Sequence, residues 1–344
     1  MTANNEGSDT TSHLRQSPST SCDGNMSRPT ALAVVMPTYN QRDYISQSIM
    51  SVLNQTDGDW ILIISDNCST DDTIETITPF LEDHRIVLVR NNHNIGVMGN
   101  WARCFERVPR EVDHVVLLPS DDVMLPNHLR TVRASFDRFP NATLVHSDAS
   151  IINSNGDVLR GHYIRDPELR AGPSTNLGFL LRRNYILCPG TALNRRLIAS
   201  GLSTLFDEKY PLTHDWRAWV ELMTTGHEFV FTGEASMCFR VHGAQVTQPS
   251  RFGATHQEVL NFLGEIEPRF PEHRALIRVG MRRQAMNVAT NRALSFKPKE
   301  AWAAFKVAVT TGQGDFLTKD LVGAVKFSAL GQSIARWAPS RRQA

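Results

Sequence analysis

Two adjacent carboxylates close an apolar run in this chain: His114-Val-Val-Leu-Leu-Pro-Ser-Asp-Asp122. Val115 to Leu118 read as a short buried strand, because a continuous apolar run bounded by polar residues has few other homes. Asp121 and Asp122 then put negative charge at the C-terminal edge of a sheet, where open α/β sheets bind ligands. Oxygen ligands at that edge suit a hard divalent cation, which usually bridges to substrate phosphates. The plainer alternative is a solvated turn or a helix cap ahead of Pro126.

Three more polar clusters end the preceding strands. The first strand runs into Pro37-Thr-Tyr-Asn40 and the second into Ser65-Asp-Asn-Cys-Ser-Thr-Asp-Asp72, while Asn91-Asn-His-Asn-Ile-Gly96 follows the third. In a parallel sheet all four ends share one rim, so these residues converge without being neighbours in sequence. The glycine fingerprints G-x-G-x-x-G and G-x-x-x-x-G-K-[ST] are absent, so a nucleotide held here does not rest in a glycine cradle. Asp66 can accept hydrogen bonds from a base or ribose, which leaves the pyrophosphate to a metal.

The elements that must position these residues alternate. Strands are predicted at Ala31–Met36, Trp60–Ile64, Ile86–Val89 and His114–Leu118. Helices are predicted at Asp43–Asn54, Asp71–Leu81 (capped by Ser69 or Thr70) and Gly96–Arg107, the last with Val97, Trp101, Cys104 and Phe105 as candidate core. Such alternation predicts an α/β fold whose mostly parallel sheet is covered by helices on both faces. Past Asp122 the pattern loosens. Helices are expected at Leu129–Phe139, Leu177–Arg183 and His214–Thr225, with strands at Thr143–His146, Glu228–Phe231 and Ser236–Val241. Asn155-Gly within Ile151–Leu159 signals a hairpin. From Thr255 to about Arg336 the pattern is helical, with breaks near Pro298 and Gly312. Three regions follow: a polar tail over 1–29 that cannot offset its ordering entropy, a domain over 30–250, and a helical C-terminal region over 251–344.

Bulk properties narrow the function. A net charge of +1 over 344 residues argues against a general nucleic-acid surface. Five dispersed cysteines without a C-x-x-C pair fit reduced thiols and a cytoplasmic protein. No run approaches the roughly 18 apolar residues of a membrane span.

Five motifs occur in order: Val35-Met-Pro-Thr-Tyr-Asn40, Ser51-Val-Leu-Asn-Gln-Thr56, Asp66-Asn-Cys-Ser-Thr-Asp-Asp-Thr73, Asn94-Ile-Gly96 and Leu118-Pro-Ser-Asp-Asp122. Together they make Val34 to Pro126 resemble glycosyltransferase family 2, of GT-A fold, with weaker likeness to about Val246. The resemblance implies a bacterial cell-surface glycan enzyme acting in polysaccharide biosynthesis. Pro37, Thr38, Tyr39 and Asn40 would line a nucleotide pocket, Asp66 would hold base or ribose, and Asn94 and Gly96 would complete the pocket. Asp121 and Asp122 would bind Mn2+ or Mg2+ on the donor diphosphate, Asp121 being favoured as the direct ligand. Many relatives read Leu-Asp-x-Asp-Asp, and Pro119 stands here in place of the first Asp.

In the second half, Thr213-His-Asp-Trp216 resembles the segment where family members carry a catalytic acid. This marks Asp215 as the base, with a helix N-cap as its plainer role. Phe239-Arg-Val-His-Gly243 resembles a Tyr-Arg-x-His stretch whose His lies close to the metal, so His242 is a third candidate ligand or else a packed strand end. Cys188-Pro-Gly-Thr191 resembles the small-residue stretch near the donor sugar, or is an ordinary turn. Trp216 and Trp219 could stack on a sugar, although helix core suits Trp219 better.

The implied chemistry is an inverting, metal-dependent transfer from a nucleotide-diphosphate donor, UDP being commonest, to a hydroxyl of a glycan or lipid-linked glycan acceptor. The metal offsets charge on the leaving diphosphate and Asp215 takes the acceptor proton. A degenerate, sugar-nucleotide-binding relative is the alternative that Pro119 and His214 favour. A nucleotidyltransferase would want a Gly-rich basic loop after the first strand, and Pro37 to Asp43 is not one. Leu317, Leu321, Val325, Ile334 and Trp337, ringed by basic residues, form a stripe that either packs on the domain or makes peripheral contact with the inner face of a membrane.

Overall fold

The computed structural model describes residues 32–164, 169–174, 176–198, 207–243, 245, 252–294 and 297–310. The expected polar tail and the C-terminal amphipathic stripe lie outside the described residues.

The chain folds as α/β, with one ten-stranded sheet among the described residues. Its first half alternates as expected: β1 (Leu32–Thr38), α1 (Ile45–Leu53), β2 (Trp60–Asp66), α2 (Thr73–Ile77), β3 (Ile86–Arg90), α3 (Gly96–Glu106) and β4 (His114–Leu117). β3, β2, β1 and β4 lie side by side and parallel, with Thr38 opposite Asp66 and Val35 opposite Leu117. Alternate residues of β1 enter two different cores, as the two-residue period of a strand requires. Ala33 and Val35 pack with Trp101 and Cys104 of α3. Leu32, Val34 and Met36 pack with Ile45, Ile49 and Val52 of α1. Both faces are therefore covered, which explains why each strand reads as an unbroken apolar run.

The second half is mixed rather than mostly parallel. It comprises β5 (Val123–Met124), α4 (His128–Arg138), β6 (Ala142–Ile152), β7 (Val158–Arg160), β8 (Gly172–Pro173), α5 (Leu177–Leu180), β9 (Ala192–Asn194), α6 (His214–Thr224) and β10 (Glu228–Arg240). β9 inserts antiparallel between β4 and β6, and β10 then pairs parallel with β6. The two strands expected at 228–231 and 236–241 are one bulged strand. Gly233, at φ +83°, takes up the irregularity that resembles a break in sequence.

Beyond β10, α7 (Phe252–Ile266), α8 (Arg274–Leu294) and α9 (Pro298–Thr310) form the described C-terminal helices. Val259, Phe262 and Leu263 of α7 join Trp216 and Trp219 of α6 in the core beneath the sheet. No described helix is long and apolar enough to cross a membrane. Val97, expected in the core, is 42% exposed, because α3 turns Met98, Trp101 and Cys104 inward instead. The expected cap of α2 also differs. Its N-cap is Asp72, and Ser69 and Thr70 bind Asn40 instead.

Candidate active site

The four polar strand ends meet along one rim. On its first side, the loops after β1 and β2 are laced together. Asn40 N donates to Ser69 Oγ at 2.9 Å, Thr70 N donates to Asn40 Oδ1 at 2.8 Å, and Gln41 N donates to Thr73 Oγ1 at 2.8 Å. Asn40 and Cys68 have φ of 52° and 63°, the only left-handed non-glycine residues among those described. Local strain of this kind collects at functional loops. Asp66 is fully buried at the tip of β2, where it accepts from Ser69 N at 3.2 Å and faces Arg90 Nε at 3.7 Å. Pro37 is half-buried and Tyr39 is exposed. Thr38 is buried, and its hydroxyl has no hydrogen-bond partner in the structure.

Three asparagines absent from the sequence-based site hold this side rigid. Asn67 Oδ1 accepts from Ile95 N at 2.9 Å and Asn91 Nδ2 at 3.2 Å, while its Nδ2 donates to Asn94 Oδ1 at 2.8 Å and Gly96 O at 3.1 Å. Asn100, on α3, donates to Ser65 O at 2.9 Å and Thr38 O at 3.3 Å. It accepts from Ser65 Oγ at 2.7 Å and from Asn91 Nδ2 at 3.0 Å. Asn94 and Gly96 thus serve the frame of the pocket from exposed positions at the start of α3. Asn67 and Asn91 fall in the polar clusters that end two successive strands, which is their one signal in sequence, whereas Asn100, on α3, carries none.

On the second side, Asp121 and Asp122 are buried, at 9% and 1% exposure, which rules out a solvated turn. Asp121 Oδ2 lies 2.9 Å from His242 Nε2. Asp122 faces elsewhere: its Oδ1 accepts from Arg240 N at 2.8 Å. Burial, and then the neighbouring charge of Asp121, holds the Asp122 carboxyl well above the ordinary range, opposed by the Arg240 backbone N–H and charge.

Arg240 is 1% exposed. It donates to Asp121 O at 2.7 Å, Gln47 Oε1 at 2.8 Å, Asn153 O at 3.2 Å and Ser154 O at 3.3 Å. Tyr44 lies between it and the site, 4.9 Å from its guanidinium and 4.6 Å from the His242 ring.

Among the described residues, no group of three or more His, Cys, Asp or Glu side chains could hold a metal ion. Asp121 and His242 offer one oxygen and one nitrogen ligand. That pair fits a Mg2+ or Mn2+ ion held mainly by substrate phosphates and water.

Asp215 stands in the first turn of α6, where its Oδ1 accepts from Trp216 N at 2.7 Å and its Oδ2 from Asn184 Nδ2 at 3.2 Å. Thr213 is the N-cap residue. Burial raises the Asp215 carboxyl, and the charge of His214 pulls it the other way. Cys188 links the two carboxylate sites. Burial pushes its thiol well above the ordinary range, and the charges of Asp215, Asp122 and Asp121 push it further. The segment 184–190 joins the two sites: Asn184 binds Asp215, and Gly190 N donates to Leu117 O at 2.7 Å, at the end of the strand that leads to Asp121. Gly190 in the same stretch has φ +75°, and a Cβ there would collide with Met237 and come within 2.9 Å of His128 Cε1. Trp216 and Trp219 are both buried, their ring N–H groups donating to Leu180 O at 2.7 Å and Ile186 O at 3.2 Å.

Known proteins resemble the chain in sequence and in fold. Residues 33–202 match the profile of glycosyl transferase family 2. The chain is 28% identical over 194 residues to the E. coli UDP-Glc:alpha-D-GlcNAc-diphosphoundecaprenol beta-1,3-glucosyltransferase WfgD, covering 56% of this chain and 69% of the relative. Among solved structures, S. aureus TarS 1-349 superposes with a TM-score of 0.54 at 13% identity, over 85% of this chain and 95% of that one. The mannosyltransferase PcManGT of Pyrobaculum calidifontis, in complex with GDP-Man and Mn2+, gives 0.53 at 14% identity, over 92% and 83%. The sheet and the residues at its rim, together with these likenesses, establish that the chain belongs to glycosyl transferase family 2 and is a glycosyltransferase of GT-A fold.

Proposed function

We propose that this glycosyltransferase moves a sugar from a nucleotide-diphosphate donor, a UDP-sugar, to a hydroxyl of a glycan or lipid-linked glycan, with inversion at the anomeric carbon. The observation that carries this reading is the buried Asp121–His242 pair just past β4, on the same sheet rim that ends in buried Asp66. The printed activities of relatives support it: WfgD uses UDP-Glc, and PcManGT was captured with GDP-Man and Mn2+.

In this reading Pro37, Thr38, Tyr39, Asn40, Asn94 and Gly96 surround the nucleotide, with the unpartnered Thr38 hydroxyl available to it. Asp66 accepts from base or ribose. Asp121 and His242 would hold the divalent ion, with Asp122 behind them. When bound, that ion offsets the charge that gathers on the departing diphosphate. Asp215 accepts the acceptor hydroxyl proton as the new C–O bond forms and the bond to the diphosphate breaks. The products are a glycoside, a nucleoside diphosphate and a protonated Asp215. A buried carboxylate is a stronger base than an exposed one, which suits it to an alcohol. Asn184 and the Trp216 N–H hold it in one orientation.

The test is calorimetric titration with UDP, dTDP and GDP, with and without Mn2+. Metal-dependent binding of one diphosphate, lost in Asp121→Asn, supports the reading. A folded protein that binds none of them defeats it.

A further inference from the structure

One cation, joined to Asp215 through Tyr163 and Asn184, belongs to neither the donor pocket nor the proton transfer. Arg183 follows α5 and is half-buried. Its guanidinium carbon lies 5.1 Å from the centre of the Tyr163 ring, and its Nη2 donates to Tyr163 O at 3.3 Å. Arg160, at the end of β7, brings a second guanidinium carbon to 5.7 Å from the same ring. Tyr163 is in turn one residue from Asp215. Its hydroxyl donates to Asn184 O at 2.9 Å, and Asn184 Nδ2 reaches Asp215 Oδ2 at 3.2 Å.

This platform is fixed to the sheet. Tyr163 N donates to Ala149 O at 2.8 Å and to Asp148 Oδ1 at 3.0 Å, and Ile164 N donates to Asp148 Oδ1 at 2.8 Å. Asp148 itself is 5% exposed. Among the described residues Arg183 makes no ion pair, and its hydrogen-bond acceptors both belong to Tyr163, the main-chain oxygen and the ring hydroxyl. Nor is it the counter-ion of Asp215, whose carboxyl is raised and on which the acting cation is His214. A partly desolvated guanidinium with most of its N–H groups unused is costly until an anion joins it. A phosphate matches that fork with two parallel hydrogen bonds.

We propose that Arg183, with Arg160 beside the same tyrosine, binds a phosphate group carried by the acceptor and so brings the acceptor hydroxyl against Asp215. This rests on the reading of Asp215 as the acceptor-side base. The acceptor is then a phosphorylated glycan. Its phosphate belongs either to the diphosphate of a lipid-linked sugar or to a phosphodiester within a polymer.

The experiment uses the full chain saturated with UDP and Mn2+, so that the donor pocket is filled. Farnesyl diphosphate, a glycerol-phosphate oligomer and neutral farnesol are titrated in turn, against wild type, Arg183→Gln, Arg183→Lys and Arg160→Gln. One of the two phosphorylated probes is expected to bind and farnesol to bind far more weakly; which probe binds identifies the source of the phosphate. Arg183→Gln should weaken that binding about tenfold or more, as loss of a charged hydrogen bond does. Arg183→Lys should recover part of the loss, Arg160→Gln should show a smaller one, and UDP affinity should stay unchanged throughout. If UDP binds but neither phosphorylated probe does, or if Arg183→Gln binds the probe as wild type does, the phosphate site is overturned. If wild type fails to bind UDP, the donor reading beneath it falls and takes this one with it.

Discussion

Replacing Arg240 tests whether the rim is held by one buried cation. Arg240→Met keeps an unbranched apolar stem and deletes the guanidinium with all its donors. Of the four acceptors, Gln47 is exposed and can turn to water at little cost. Asn153 O and Ser154 O belong to half-buried residues and are partly rehydrated. Asp121 O, in a buried residue, is left without this donor, which costs about 1–3 kcal/mol. The two hairpin carbonyls add about 1 kcal/mol together, and the lost stacking on Tyr44 adds ~1 kcal/mol. Relief of burying a charge offsets some of this. The net expectation is roughly 3 kcal/mol, a large share of the 5–15 kcal/mol that a domain has. Arg240→Lys should cost less, because an ammonium can still reach one carbonyl. Paired urea melts with unchanged m give the number. Hydrogen exchange at Gly156 and Asp157 then reports whether the hairpin turn loosens. If Arg240→Met melts within about 0.5 kcal/mol of wild type, the range of an ordinary surface change, the guanidinium is not the brace inferred here.

The other predictions concern single atoms of the site. Gly190→Ala should cost about 3 kcal/mol by combining a left-handed backbone with overpacking, and in thermal melts the double variant with Met237→Ala should lose less than the sum of the two single losses. Asp215→Asn should leave UDP affinity intact while turnover falls about 10²–10⁴-fold; near-normal turnover would remove Asp215 from the chemistry. Because burial raises the Asp215 carboxyl, it binds a proton in the folded state at pH values where the unfolded chain has released it. Stability contributed there falls as pH rises through that window, so Asp215→Asn should not lower stability at neutral pH. The acid limb of kcat should lie above the ordinary carboxylate range. Asn100→Asp aims an oxygen at Ser65 O and Thr38 O and should cost about 2–3 kcal/mol at neutral pH. That cost should shrink in acid, where the new carboxyl can donate a proton; a pH-independent penalty would contradict this geometry.

The first half of the fold was legible because β1 to β4 are covered on both faces, so burial writes itself as apolar runs with polar punctuation. The second half was not. β5 and β8 have two residues each and β9 has three, too few for any period to register. Gly233 made one strand look like two. Of the site, the acidic residues could be read from their motifs, and the separation between Asp121 and Asp122 could not. Which of two adjacent carboxylates meets His242 and which meets a backbone N–H depends on β10, more than a hundred residues away. The amide frame of Asn67, Asn91 and Asn100 escaped for a similar reason, since its bonds join three separate segments.

That frame has a consequence for how the two halves of the cleft answer to their surroundings. The Asn67–Asn91–Asn100 bonds join uncharged groups, so neither acidity nor ionic strength acts on them directly. The opposite wall is built from Asp122, Asp215 and Cys188, all with perturbed ionisation. Acidification can therefore silence transfer while the pocket for the donor keeps its shape.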